Sequence, residues 1–312
     1  MAAVEHEAEL VAEGAIAASP RQRDAPLLLL EAMRPKQWIK NVFVFAGLAF
    51  AHKISDPKSV GIAVATFVAF CLASGATYLL NDVRDAEADR HNPRTASRPI
   101  ARGDLSPALA LVVAAIATLV ALGITALVNV ETLGVLGGYV VLQLAYSNGL
   151  KHVLFLDVMI IAAGFVLRAA AGGLAIEVPI SSWLLLCTGL LAIFLGFTKR
   201  RAEAVALGGT DTPRREVLDQ YSVGLLDELI AVVTPSTVVV YAIYAVTGAH
   251  THWMLLTLPF VLYGVFRILF LIHHHGAMTE EPAVIVYRDR PLLACVVLWG
   301  VCAATIAAIA GA

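Results

Sequence analysis

Residues 60–90 read VGIAVATFVAFCLASGATYLLNDVRDAEADR. The first part, 60–80, carries no charge and is long enough for a helix to cross a hydrocarbon core of about 30 Å. At Asn81 the character changes abruptly, where such a helix would leave the bilayer. Three aspartates follow, Asp82, Asp85 and Asp89, spaced three and four apart. If the helix continues, all three share one face and Asn81 lies beside Asp85. Like charges at that spacing repel, so something must offset them. A divalent cation carrying a diphosphate would, because Mg²⁺ is commonly held by one or two carboxylates and takes its remaining oxygens from phosphate and water. The plainer alternative is a solvated acidic helix end. Against it stand the abutting span and the arginines that follow: Arg90, Arg94, Arg98 and Arg102.

The rest of the chain has the same character. Of its 312 residues, 59% are hydrophobic and only 15% charged, which excludes an ordinary soluble globular protein. Apolar stretches recur near 38–52, 60–81, 107–128, 132–148, 155–175, 181–198, 229–248, 253–273 and 291–311, nine in all, the first being short. With the N-terminus in the cytoplasm, 18 of the 22 Lys and Arg face inward. Only Lys53 and Lys58 face outward, while Arg168 and Arg267 lie inside spans. This is the positive-inside pattern, and it predicts an inner-membrane, multi-pass protein with its C-terminus outside. Residues 1–26 are polar, acidic and Ala-rich and are expected to be a disordered tail. Residues 27–312 are expected to form a single membrane domain. Cys71, Cys187, Cys295 and Cys302 all fall in apolar spans, form no CxxC pair and read as core residues.

Residues 27–40, LLLLEAMRPKQWIK, predict an amphipathic approach to the membrane that Pro35 interrupts, with Arg34, Lys36 and Lys40 suited to an anionic inner leaflet. The long polar loops, 82–106, 199–228 and 274–290, all fall on the cytoplasmic side, so the chemistry is expected there. Span two and span six each end in a charged motif, a hint of two related four-helix units around a cavity.

Charges inside spans usually face a cavity or a partner. Arg168 and Asp157 lie within about 20° of one face of span five, and Gly164 lets something approach that face. Two roles stand open for Arg168: pairing with a carboxylate on a neighbouring helix, or reaching a bound phosphate. Arg267, with Tyr263 one turn away, could snorkel. Lys199, Arg200 and Arg201 end span six. They serve topology, or bind an anion through bidentate arginine and mobile lysine. Glu203 either completes a second metal site or pairs with Lys199. The loop 211–222, with Arg214, Arg215, Glu216, Asp219 and Tyr221, suggests a surface helix able to cap a polar site. Glu281, Asp289 and Arg290 are candidates of the same kind, and His273–His275 reads as interfacial. No GxSxG, P-loop or GxGxxG motif is present.

NDVRDAEADR after span two, RPKQWIKN at 34–41, RPIARG at 98–103 and the nine spans resemble the UbiA superfamily of intramembrane prenyltransferases. Family members usually carry a second DxxxD after span six, where this chain has KRRAEA. That departure, with YSNGLKH at 146–152, FVLRAAAGG at 165–173 and YRDRPL at 287–292, is similar to the bacterial decaprenyl-phosphate phosphoribosyltransferase branch. The resemblance implies an all-α fold with nine transmembrane helices around a central cavity open to the cytoplasm. It implies Mg²⁺ as cofactor, phosphoribosyl diphosphate as donor, a polyprenyl phosphate as acceptor, and a product that feeds cell-wall arabinan. It assigns Asp82, Asp85 and Asp89 to the Mg²⁺–diphosphate, with Glu203 as a further metal ligand and Asn81 orienting the site. Lys36, Lys40, Arg94 and Arg98 fall to the diphosphate. Lys199, Arg200 and Arg201 fall to the 5-phosphate or the lipid phosphate. Arg168, Tyr146, Lys151 and Tyr221 are further substrate contacts. Expected partners are the bilayer and a second copy of the chain, with no nucleic acid. Two other readings stay open: a prenyltransferase acting on an aromatic acceptor, which a donor screen separates, and a transporter, which would place acids near the bilayer midplane.

Overall fold

A computed structural model of the chain describes residues 24–51, 53–93, 95–207, 216–248, 251–274, 285–286 and 288–310. Every regular element among them is helical: α1 (Ala25–Ala32), a 3-10 segment (Pro35–Phe45), α2 (Ala46–Phe50), α3 (Pro57–Arg84), α4 (Ala86–His91), α5 (Pro107–Val128), α6 (Val130–Ser147), α7 (Leu156–Ala175), α8 (Ser182–Leu207), α9 (Glu216–Asp219), α10 (Val223–Ile243), α11 (Leu258–His274) and α12 (Arg290–Ala310). The expected tail up to residue 23 lies outside the described residues, as do Arg94, Arg214, Arg215, His275, Glu281 and Tyr287.

Small residues decide how the helices meet. On α5, Ala110, Ala114, Ala117 and Ala121 are buried, at the 4-3-4 spacing of one helix face. On α3, Ala69, Ala73 and Ala76 are fully buried. Apolar surface is no driving force between helices in lipid, so close backbone approach through alanine is what holds such a pair. Leu119 and Leu127, on other faces of α5, are exposed. A second core joins α7, α8, α10 and α11 through Val158, Phe194, Phe197, Leu226, Ile230 and Val265.

Seven helical stretches among the described residues are long and apolar enough to cross a membrane: Pro57–Arg84, Pro107–Val128, Leu156–Ala175, Ser182–Ala206, Val223–Thr247, His252–His274 and Arg290–Ile309. The expected span at 132–148 is α6, which has only 18 residues and carries Glu131 and Gln143. The expected span at 38–52 is not one α-helix. Arg34 adopts a left-handed backbone, φ 55° and ψ 65°, and Pro35 restarts the chain as 11 residues of 3-10 helix before the short α2. Runs of 3-10 helix beyond three or four residues are uncommon, so outside contacts must hold this one. Its backbone presses on α7 at Gly172, where a Cβ would strike the Val44 carbonyl.

Candidate active site

The acidic motif closes α3. The helix stops at Arg84, Asp85 forms the junction (φ −90°, ψ 4°), and α4 resumes at Ala86. Hydrogen bonds from the Asp85 N–H to the Asn81 carbonyl and from the Asp89 N–H to the Asp85 carbonyl, 2.9 and 2.8 Å, carry the helical path across the junction. Asp82 is 1% exposed and Asp89 7%, so neither charge is left to water.

Each carboxylate is met by a cation of the chain itself. Arg34 pairs with Asp82 and lays its guanidinium over the Tyr78 ring, 4.7 Å from the centroid. Arg98 Nη1 stands 2.6 Å from Asp89 and 3.3 Å from Asp82. Lys151 Nζ donates to both oxygens of Asp85 at 3.0 Å. The expected repulsion among the aspartates is therefore offset by Arg34, Arg98 and Lys151. Among the described residues no group of three or more His, Cys, Asp or Glu is gathered closely enough to hold a metal. Asp82, Asp85, Asp89 and Glu203 do not converge as one ion's ligand set. Asp82 and Asp89 do share a single guanidinium nitrogen.

The second charged motif reaches the first through the α6–α7 connection. Residues 148–156 turn sharply, with Gly149 at φ 147° and Phe155 at φ 67°. Positive φ at a residue with a side chain costs roughly 1–3 kcal/mol and persists only when the surroundings enforce it. Tyr221 does so here: its hydroxyl accepts from the Phe155 N–H at 3.0 Å and donates to Asp157 at 2.8 Å. Burial, and then the adjoining Asp157 carboxylate, hold the Tyr221 phenol above the ordinary tyrosine pKa, so it stays a neutral donor. Asp157 also accepts from Arg200 Nε at 2.7 Å, and Arg200 Nη1 reaches Glu203 at 2.7 Å. Thus Arg200 joins two acids as Arg98 does, and Lys151, on the connection that Tyr221 braces, reaches Asp85 of the first motif.

The other candidates are placed as follows. Tyr146 lies within electrostatic reach of Arg200. Lys199 Nζ is 4.0 Å from Glu203, so Glu203 pairs first with Arg200. Arg201 turns away, to Asp227 at 2.5 Å and to the Ile272 carbonyl. Lys36 is exposed, and Lys40 lies within electrostatic reach of Tyr139. Arg168 does not meet Asp157. It donates to Asn41, Tyr139 and the carbonyl of Gly164. Arg267 pairs with Asp289 at 2.8 Å. His273 stands 3.7 Å from Asp227, and His274 stacks on Phe270.

Among the described residues two buried side-chain atoms lack a hydrogen-bond partner, Thr132 Oγ1 and, at this site, Asn81 Oδ1. The Asn81 side-chain oxygen is buried without a hydrogen bond, a costly arrangement for an amide oxygen. It belongs to the residue next to Asp82, one turn before Asp85. A hard amide oxygen beside carboxylates is the donor set that Mg²⁺ takes, so these residues fit that ion.

Fold and charged cluster together define a multi-pass helical membrane protein with its acids and bases gathered at one end of the bundle. The chain belongs to the UbiA prenyltransferase family, whose model matches residues 41–274. It is 33% identical over 289 residues to the decaprenyl-phosphate phosphoribosyltransferase of Mycolicibacterium smegmatis, covering 87% of this chain and 89% of that one. The Mycobacterium tuberculosis protein of the same name is 32% identical over 283 residues, covering 87% and 91%. Among solved structures, a UbiA homolog from Archaeoglobus fulgidus bound to GPP and Mg²⁺ superposes with a TM-score of 0.70 at 17% identity, covering 90% of this chain and 99% of that one. The last likeness establishes the fold.

Proposed function

We propose that this protein transfers a 5-phosphoribosyl group from phosphoribosyl diphosphate to a polyprenyl phosphate, decaprenyl phosphate first among them, and releases diphosphate. The observation that carries the reading is the pair of acid–arginine–acid groups around Arg98 and Arg200, with Lys151 on Asp85, in a chain whose relatives bear that activity's name. A donor with anionic groups at both ends needs cations in two places, and the chain supplies both sets.

In the reaction, a lipid phosphate oxygen forms a bond to ribose C1 as the bond from C1 to the diphosphate oxygen breaks. The diphosphate leaves with the electron pair. The nucleophile is already anionic at neutral pH, so no general base is required. Asp82, Asp89 and the Asn81 oxygen would hold Mg²⁺, which when bound supplies Lewis-acid stabilisation of the leaving charge, while Asp85 holds Lys151. Arg34, Arg98 and Lys151 are preorganised on the acids and exchange onto diphosphate oxygens as the donor arrives. Charge already in place when the transition state forms is commonly the largest catalytic term. Lys199 and Arg200, with Tyr146, face the 5-phosphate or the lipid phosphate, while Tyr221 and Asp157 fix Arg200.

Under this reading the 3-10 segment with α2, and α6, complete nine crossings of the inner membrane. The N-terminus and the site face the cytoplasm, where the soluble donor is found, and the lipid tail leaves sideways between helices. The product would serve cell-wall arabinan synthesis. The test is incubation of the purified protein with Mg²⁺, phosphoribosyl diphosphate and polyprenyl phosphates of several lengths. A parallel arm offers geranylgeranyl diphosphate and an aromatic acceptor. Mass spectrometry should find phosphoribosylated lipid in the first arm only. Product in the second arm alone would overturn the assignment.

A further inference from the structure

Arg168 is the thirteenth residue of α7, about 18 Å along the helix from Leu156, and is 6% exposed. Its Nε donates to the Asn41 oxygen at 2.6 Å, Nη1 to the Gly164 carbonyl at 2.8 Å and Nη2 to the Tyr139 hydroxyl at 2.8 Å. All three acceptors are neutral. The guanidinium also lies over the Tyr139 ring, 4.7 Å from its centroid. A cation buried this deep in a membrane bundle is costly and is retained for a reason.

Asn41 shows what that reason is. It is fully buried in the middle of the 3-10 segment, and its amide donates to Cys71 Sγ at 3.2 Å and Ser74 Oγ at 3.3 Å on α3. One guanidinium and one carboxamide therefore tie together the 3-10 segment, α3, α6 and α7. The same two strands of chain meet again higher up, where Arg34 pairs with Asp82. From Arg34 to Asn41 the 3-10 rise gives about 14 Å. From Asn41's two partners on α3 up to Asp82 the α-helical rise gives about 12 Å from Ser74 and about 16 Å from Cys71, which bracket that length. The segment and α3 are struts of nearly equal length with a rung at each end. An α-helix over 34–41 would span only about 10 Å and leave the upper rung short.

We propose that Arg168, acting through Asn41, is a positioning residue: it locks the 3-10 segment in the register that brings Arg34 onto Asp82. The register claim stands by itself, and its catalytic consequence rests on the function proposed above.

Two measurements on the full chain in lipid nanodiscs test the two parts separately. Hydrogen exchange, read by mass spectrometry, should show the 35–45 amides opening more than tenfold faster in Arg168→Gln and in Asn41→Ala, with exchange across 290–310 unchanged. In steady-state assays each variant should raise KM for phosphoribosyl diphosphate by a similar factor, roughly tenfold, with the KM of the lipid unchanged. Residues that act as one unit are non-additive, so the double variant should be no worse than either single variant. Should Arg168→Gln fail to fold, Asn41→Ala, which keeps the arginine, carries the test. Unchanged exchange over 35–45 would overturn the register lock whatever the enzyme does. A KM effect of Arg168→Gln that Asn41→Ala does not reproduce would mean that the arginine touches substrate itself, and would overturn the positioning role. A wild-type protein without phosphoribosyl transfer, but with the exchange result as expected, would remove the function and leave the lock intact.

Discussion

Arg98→Gln should move two affinities in opposite directions. Arg98 neutralises Asp89 at 2.6 Å and Asp82 at 3.3 Å. Its side chain is 27% exposed, while those of Asp82 and Asp89 are 2% and 10% exposed. A unit pair about 4 Å apart is worth about 4 kcal/mol at an effective dielectric of 20. Solvent at the guanidinium screens part of that, and glutamine retains one hydrogen bond, which leaves a net effect of about 1–2 kcal/mol. That corresponds to roughly a 5–30-fold change. Removing the internal cation leaves Asp82 to Arg34 and takes from Asp89 the arginine that neutralises it, so Mg²⁺ offered without donor should bind more tightly by that factor. The same loss takes a cation from the arriving diphosphate, so KM for phosphoribosyl diphosphate at saturating Mg²⁺ should rise by a similar factor. Calorimetric titration of Mg²⁺ into nanodisc-embedded protein reads the first quantity, and initial rates read the second. If Mg²⁺ binding is unchanged or weaker in the variant, Arg98 is not holding the place of the ion and the exchange mechanism fails.

Further outcomes follow from other contacts. Tyr221→Phe leaves the Phe155 N–H without its acceptor and Asp157 short of one donor, which should cost about 1–3 kcal/mol. The folded-state phenol pKa is raised, so its contribution is complete below the unfolded value near 10 and lost only as pH climbs through the folded one. Unfolding midpoints of wild type and Tyr221→Phe should therefore run parallel from about pH 6 to 9 and close together only above about pH 10; curves that converge near neutral pH would contradict this. Gly172→Ala forces a Cβ into the Val44 carbonyl and should destabilise by about 1–3 kcal/mol. Gly134→Ala, where a Cβ meets nothing within 4 Å, should be neutral or stabilising by about 0.5–1 kcal/mol; a thermal-shift comparison separates the two. Lys151→Met should lower kcat/KM for the donor, and equal rates in the variant and wild type would remove Lys151 from the site.

Much of the bundle is legible in the chain because lipid imposes a simple rule: uncharged runs of sufficient length become helices. That rule misjudges 38–52, since hydropathy does not distinguish an α-helix from a 3-10 segment fixed by a left-handed Arg34 and a buried Asn41. The acidic motif is legible because all its members are local. Of its counter-charges only Arg98 is local, because Arg34 and Lys151 come from 48 and 66 residues away. Arg34 reads as a headgroup-facing arginine until Asp82 is seen beside it; the break at Pro35 was the available signal. Helical phase places Asp157 and Arg168 on one face of α7. Phase within one helix says nothing of which neighbour each side chain meets, and Asp157 went to Arg200 while Arg168 went to Asn41.

Diphosphate release by wild type and by Asp82→Asn, with phosphoribosyl diphosphate, decaprenyl phosphate and Mg²⁺, tests the central claim most directly. Wild type should release one diphosphate for each lipid phosphoribosylated, and the variant should lose roughly 10²–10³ in kcat. An Asp82→Asn protein that turns over within about threefold of wild type, at the same Mg²⁺ concentration, would contradict the account.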